Sequence, residues 1–325
     1  METSPAPTGV PGVAPVAPAS DAVALFDPPP TTMTVTSTSL QTGRAADYVE
    51  LIKPNIVGMI LLTVAAGFYM GAPGGALDVA LLVYTLLGSA LVAGGSNALN
   101  QILERHSDAR MRRTRARPLP SGRLRVAQSA VFGWGLGAVG VAYLAVFTNW
   151  IVALLAALTL ASYVFVYTPL KRVTSLATVI GAVPGALPIV GGWAASHGDL
   201  GVRAWVLFAI LFLWQLPHFL ALAWLYREDY ARAGLRMLSV TQGGGATFRQ
   251  ALLYAVALLP VGILPTLLGM TGWIYFWGVL ALTLWLVWAT TSAALDRTPA
   301  KARRLFLVTV VYLPLVMGLL VVDKM

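Results

Sequence analysis

The chain has 325 residues, of which 58% are hydrophobic and 11% charged, whereas a soluble globular domain carries about 25% charged residues. So few polar groups cannot cover a water-facing surface. The chain also has no cysteine, which excludes disulfides, thiolate metal sites and cysteine nucleophiles. A net charge of +9 fits basic loops that orient membrane helices better than a nucleic-acid surface, so no nucleic-acid partner is expected.

Residues 1–45 are rich in Pro, Ala, Thr and Ser and show no apolar period. They are expected to form a disordered tail, with a transmembrane domain over 46–325. The tail lacks the basic start and apolar core of a signal peptide. Glu2, Asp21 and Asp27 precede the first basic residue, Arg44, which argues against an Arg-rich, acid-poor transit peptide. A bacterial plasma membrane is the expected location.

Nine apolar segments follow, at 54–71, 79–101, 126–147, 149–167, 174–195, 204–226, 250–269, 272–291 and 305–322. Each is close to the ~20 residues that cross a hydrocarbon core. Lipid offers the backbone no hydrogen bonds, so these segments must be helices. The predicted fold class is therefore all-α, a polytopic membrane helical bundle embedded in the lipid bilayer. Short turns at Thr148-Asn149 and at Gly269–Gly272 predict two antiparallel hairpins.

The fifth segment holds Gly181, Pro184, Gly185, Pro188, Gly191 and Gly192. Tight helix packing and a bent helix beside a substrate cavity both fit that composition. Thr168-Pro169-Leu170-Lys171 and Thr298-Pro299-Ala300-Lys301 form an internal echo that hints at a four-helix unit used twice, plus a ninth helix. A cytoplasmic N-terminus places 20 of the 22 Lys and Arg in inside segments, with Arg203 and Lys324 outside. That asymmetry supports both the helix count and the orientation.

Two polar stretches interrupt this pattern. In NALNQILERHSDARMRRTRARPLPSG (97–122), Asn100, Glu104 and Asp108 are spaced four apart. At helical pitch they drift only about 80° and share one face over roughly 12 Å. Neighbouring carboxylates repel unless a cation sits among them, and oxygen donors suit Mg²⁺, which binds one or two carboxylates together with substrate phosphates. Arg110, Arg112, Arg113, Arg115 and Arg117 follow. Alone they read as orienting charges, whereas beside the acids they suit diphosphate oxygens. In the second stretch, Arg227, Glu228, Asp229 and Tyr230 leave the sixth segment on the same side as Asp108. A solvated helix end is the plain alternative there. His218 lies inside the sixth segment; an ionisable group at that depth is a functional candidate, and a hydrogen bond between helices is the simpler role.

These residues together resemble the UbiA-type intramembrane prenyltransferases, and among them the protoheme IX farnesyltransferase (haem O synthase) branch. The segments that carry the resemblance are LIKPNI (51–56), NQILERHSDARMRRTRARPLPSG (100–122), YTPLKR (167–172), GAVPGALPIVGGWAA (181–195) and WQLPHFLALAWLYREDYARAG (214–234), within about residues 45–322. The family pattern has Asp where Glu104 stands, and a second acid where Ala233 follows Asp229; the latter loss is similar to the haem branch.

The resemblance implies a UbiA-type fold and transfer of farnesyl from farnesyl diphosphate to a vinyl group of haem B, giving haem O. It implies metal ligation and catalysis by Asn100, Glu104, Asp108 and Asp229, with Mg²⁺ as the divalent cofactor. Lys53, Arg112, Arg113, Arg117, Lys171 and Arg172 are implied diphosphate contacts, and His218 a haem contact. It further implies an active site at the cytoplasmic side, and haem A synthase or oxidase assembly partners. An aromatic quinone-precursor acceptor keeps the fold and changes the product. An anion transporter is the rival of another class, although its need for access from both faces fits poorly with short, nearly uncharged outer loops.

Overall fold

The structure, a computed structural model, describes Met1, residues 44–75 and residues 77–325. The tail expected over 1–45 falls, from residue 2 to residue 43, outside the described residues. The described chain contains helices α1 (Arg44–Ile52), α2 (Pro54–Gly71), α3 (Val79–Asp108), α4 (Val126–Phe147), α5 (Trp150–Ala161), α6 (Thr168–Leu170), α7 (Ala177–His197), α8 (Val202–Leu225), α9 (Arg227–Arg232), α10 (Leu238–Thr241), α11 (Gly243–Gly262), α12 (Leu264–Leu267), α13 (Trp273–Asp296) and α14 (Pro299–Val322). Among the described residues, nine helical segments are long and apolar enough to cross a membrane, one for each predicted segment.

The main differences lie at the ends. The seventh and ninth segments begin at Gly243 and Pro299 rather than 250 and 305, because Arg249, Lys301, Arg303 and Arg304 lie within the first two turns of α11 and α14. Hydropathy marks where lipid begins, whereas helical hydrogen bonding continues past it into the interface. The 30 residues of α3 span about 45 Å, more than the ~30 Å hydrocarbon core, so its last turns carry Glu104 and Asp108 to the boundary. Helix α5 loosens into a π-helical stretch, Ser162–Tyr167, immediately before α6. Such stretches often occur at functional sites.

Helix α1 has no counterpart among the predicted segments. It is only nine residues long, too short to be marginally stable alone, and is held by tertiary contacts. Leu51 is fully buried, the Tyr48 ring packs edge-on against Phe132 at 4.8 Å, and Arg123 pairs with Asp47 at 2.6 Å and Glu50 at 2.7 Å.

Close backbone approach joins α2 to α7. A Cβ on Gly67 would lie 2.0 Å from the Ile189 carbonyl oxygen, and one on Gly192 would lie 2.0 Å from that of Val64. Small residues give membrane helices this kind of contact. Helix α7 runs unbroken through Pro184 and Pro188, and a Cβ on Gly181, Gly185 or Gly192 would meet a neighbour at 2.3 Å or less. At the other end of the bundle the last residues of the chain return to α2, where the Lys324 ammonium donates to the carbonyls of Tyr69 at 2.6 Å and Ala72 at 2.7 Å.

Candidate active site

The predicted face of α3 forms, and Asn100, Glu104 and Asp108 each meet a side chain from outside that helix. Asn100 is buried. Its Oδ1 accepts from Lys53 Nζ at 3.2 Å, and its Nδ2 donates to Thr168 Oγ1 at 3.1 Å. Thr168 in turn donates to the Tyr163 carbonyl at 2.8 Å. One turn on, Glu104 Oε1 accepts from Lys171 Nζ at 2.7 Å, and that ammonium also lies 4.3 Å from the centre of the Tyr167 ring. One turn further, Asp108 Oδ2 pairs with Arg117 Nη1 at 2.8 Å.

Lys53, Asn100, Glu104, Asp108, Arg117 and Lys171 are thus brought together as alternating oxygens and cations. Burial, and then the nearby Arg117, pulls the Lys53 ammonium down to about 7. Burial alone would lower Lys171 as well, but Glu104 and the Tyr167 and Tyr163 oxygens outweigh it and hold that ammonium well above its ordinary value.

Asp229 sits on α9 and is buried. It accepts from Arg232 and from the backbone amide of Arg112, which fastens the arginine-rich loop to the second acidic stretch. Burial acts to raise this carboxyl, and the Arg232 and Arg112 hydrogen bonds outweigh it, holding it below the usual carboxylate range.

The remaining candidates lie outside the alternating cluster. Arg112 and Arg113 are exposed, and the Arg113 guanidinium stacks over the Tyr226 ring at 4.7 Å. Arg172 turns to a neighbouring face of α3, donating to Ser107 Oγ at 3.1 Å and to the Leu103 carbonyl at 3.3 Å. His218 faces α14, where its Nδ1 lies 2.9 Å from Thr309 Oγ1 and its ring packs against Trp214 and Phe306.

Thr168, Tyr163 and Tyr167 belong to the cluster, and motif reasoning missed them. Tyr163, Tyr167 and Lys171 are spaced four apart, as Asn100, Glu104 and Asp108 are, and that shared spacing was the available signal.

Among the described residues no three Asp, Glu or His side chains converge on one point. The donor set nevertheless suits a hard cation that takes few protein ligands and completes its shell with phosphate oxygens. Asp108 is 1% exposed, and its Oδ1 is buried without a hydrogen-bond partner among the described residues. A buried, unpartnered carboxylate oxygen is costly, and a divalent cation would satisfy it.

Among the described residues, nine helical segments able to cross a membrane, with acids and cations alternating at one end, suit an intramembrane enzyme acting on an anionic substrate. The chain belongs to the UbiA prenyltransferase family, whose model matches residues 60–313. At the finer level it is similar to the protoheme IX farnesyltransferase of Solibacter usitatus, 46% identical over 287 residues that cover 86% of this chain and 98% of that protein. The protoheme IX farnesyltransferase of Salinibacter ruber is 47% identical over 278 residues, covering 85% and 98%.

Among solved structures, a digeranylgeranylglyceryl phosphate synthase superposes with a TM-score of 0.72 at 16% identity, covering 86% of this chain and 98% of that one. A UbiA homologue from Archaeoglobus fulgidus, bound to GPP and Mg²⁺, superposes with a TM-score of 0.63 at 17% identity, covering 84% and 99%. These two likenesses establish the fold.

Proposed function

We propose that this chain transfers the farnesyl group of farnesyl diphosphate to a vinyl group of haem B. The allylic carbon–oxygen bond breaks, and diphosphate leaves with the bonding electrons. A carbon–carbon bond forms between the farnesyl carbon and the vinyl group. Water then adds to the resulting cation and a proton is released, leaving a hydroxyethylfarnesyl chain and so haem O. The observation that carries this reading is the face of α3, where Asn100, Glu104 and Asp108 each meet a cation or a polar partner from another element. The farnesyltransferase relatives select the substrates.

In this reading Lys53, Arg117 and Lys171 grip the diphosphate, with Arg112, Arg113 and Arg172 forming its outer rim. Lys171 and Arg117 are paired to Glu104 and Asp108 before substrate arrives, and phosphate oxygens are alternative acceptors for both. Asn100, Glu104, Asp108 and Asp229 would hold Mg²⁺, which when bound supplies charge stabilisation to the departing diphosphate. The apolar bundle keeps bulk water from the allyl cation, while the lipid tail enters from the bilayer. His218 contacts haem from the aromatic wall between α8 and α14. The site faces the cytoplasm of a bacterial plasma membrane, and the haem O product suits hand-over to a haem A synthase or an oxidase assembly.

The direct test is mass spectrometry of haems after the purified chain is incubated with haem B, farnesyl diphosphate and Mg²⁺. Haem O should appear, and should disappear on chelation of the cation; a prenylated aromatic precursor with no haem O would overturn the acceptor. Asp108→Asn should lower the rate at least about 100-fold without impairing membrane insertion, and near-normal haem O formation would remove its role as a ligand. If His218 is an axial ligand of haem, His218→Ala should change the absorption spectrum of the bound haem, and an unchanged spectrum would remove that ligand role.

A further inference from the structure

The junction between α1 and α2 places a residue with left-handed backbone, Lys53, at the site itself. Lys53 has φ 56° and ψ 72°, a left-handed conformation that disfavours every side chain bearing a Cβ. Glycine is the usual occupant of this position after a helix. Pro54 follows directly and excludes the ordinary helical region for Lys53. An extended conformation stays open on those grounds, and would send α1 and the lysine in another direction, so something must select the left-handed turn.

The last carbonyls of a helix lack partners within it. At the end of α1 three successive carbonyls, those of Glu50, Leu51 and Ile52, are met from α3. Gln101 Nε2 donates to Leu51 at 2.8 Å and to Glu50 at 3.4 Å, and Asn97 Nδ2 donates to Ile52 at 3.0 Å. Both side chains are buried, at 1% and 3% exposure. They stand one helical turn apart on either side of Asn100, the residue that accepts from the Lys53 ammonium. One rigid helix therefore presents Asn100 and also clamps the chain that delivers Lys53 to it.

We propose that Gln101 and Asn97 are positioning residues, whose amides fix the end of α1 so that the Lys53 ammonium stands at the diphosphate site. The proposal rests on the reading of Lys53 as a diphosphate contact. Among the described residues the hydrogen bonds of both amides go to the α1 carbonyls and not to Lys53 Nζ or the Asn100 side chain, so both act through the backbone that carries the lysine. The apolar isosteres of these residues should weaken diphosphate binding only while Lys53 is present.

A double-mutant cycle on the purified full chain tests this. The readouts are KM and kcat for farnesyl diphosphate with haem B as acceptor, KM for haem B, and binding of farnesyl thiolodiphosphate by calorimetry. Gln101→Met alone should raise KM for farnesyl diphosphate, and Kd for the thiolo analogue, by about tenfold, the loss of one well-placed charged contact. KM for haem B should stay unchanged. In the Lys53→Met background, Gln101→Met should change neither value further. Multiplicative losses in the double variant, or an equal rise in KM for haem B, would overturn the positioning role and leave the diphosphate role of Lys53 standing. An unchanged Kd in Lys53→Met alone would remove that diphosphate role, and the positioning proposal with it. If Gln101→Met does not accumulate, Asn97→Leu runs the same cycle with the same expected outcomes.

Discussion

Glu104 and Lys171 meet at 2.7 Å with only 13% and 14% of their side chains exposed, so neither charge tolerates loss of the other. Glu104→Gln should destabilise the chain by about 3 kcal/mol, the usual cost of leaving one member of a buried pair unpaired, and should end haem O formation. Adding Lys171→Met removes the orphaned charge. The double variant should recover much of the melting temperature in detergent without recovering turnover, and recovery of both would show that the pair serves stability alone. At this scale the sequence revealed the four-residue spacing of Asn100, Glu104 and Asp108, because helical pitch alone puts them on one face. It could not reveal which cation meets which acid. Lys171 lies 67 positions from Glu104, and nothing local separates it from Arg172, whose guanidinium turns to Ser107 instead.

Two adjacent glycines on α7 separate close packing from helix propensity at the scale of the element. A Cβ on Gly192 would sit 2.0 Å from the Val64 carbonyl oxygen, while one on Gly191 would meet nothing within 4 Å. Gly192→Ala should destabilise by about 1–3 kcal/mol through overpacking, or prevent accumulation. Gly191→Ala should stay within about 0.5 kcal/mol or gain slightly from better helix propensity. Thermal melts in detergent distinguish them, and equal effects would remove the close-crossing account of α2 and α7. The composition of α7 announced small residues but not the face they occupy, since the pattern of glycines reads the same for packing and for bending. Its prolines remove the amide donors for the Ile180 and Pro184 carbonyls, while Gln215 Nε2 on α8 donates to the nearby Ala182 carbonyl at 2.7 Å and ties α7 to α8. Helix α1 escaped notice for the opposite reason, as its order comes from Arg123 and from the α3 amides rather than from its own nine residues.

The nine candidate spans among the described residues put Lys53 and Lys324 at opposite ends of the bundle, and Lys324 does reach the far end of α2 at Tyr69 and Ala72. The proposed cytoplasmic orientation rests on charge asymmetry: 20 of 22 Lys and Arg gather at the end that holds the α3 acids, as in cytoplasmic loops. The absence of cysteine makes this directly measurable, because a single introduced thiol has no native competitor. Ser121 lies exposed in the arginine-rich loop, and Asp199 lies exposed in the short turn between α7 and α8. With a membrane-impermeant maleimide added to intact cells, Asp199→Cys should label and Ser121→Cys should not; after permeabilisation both should label. The reverse pattern would turn the molecule over and place the proposed diphosphate site on the outer face. Prenyl diphosphates carry several negative charges and cross a bilayer poorly, so the orientation also fixes the side from which substrate must come. In inside-out vesicles, added farnesyl diphosphate should therefore support haem O formation at least as fast as in detergent, and in right-side-out vesicles it should not.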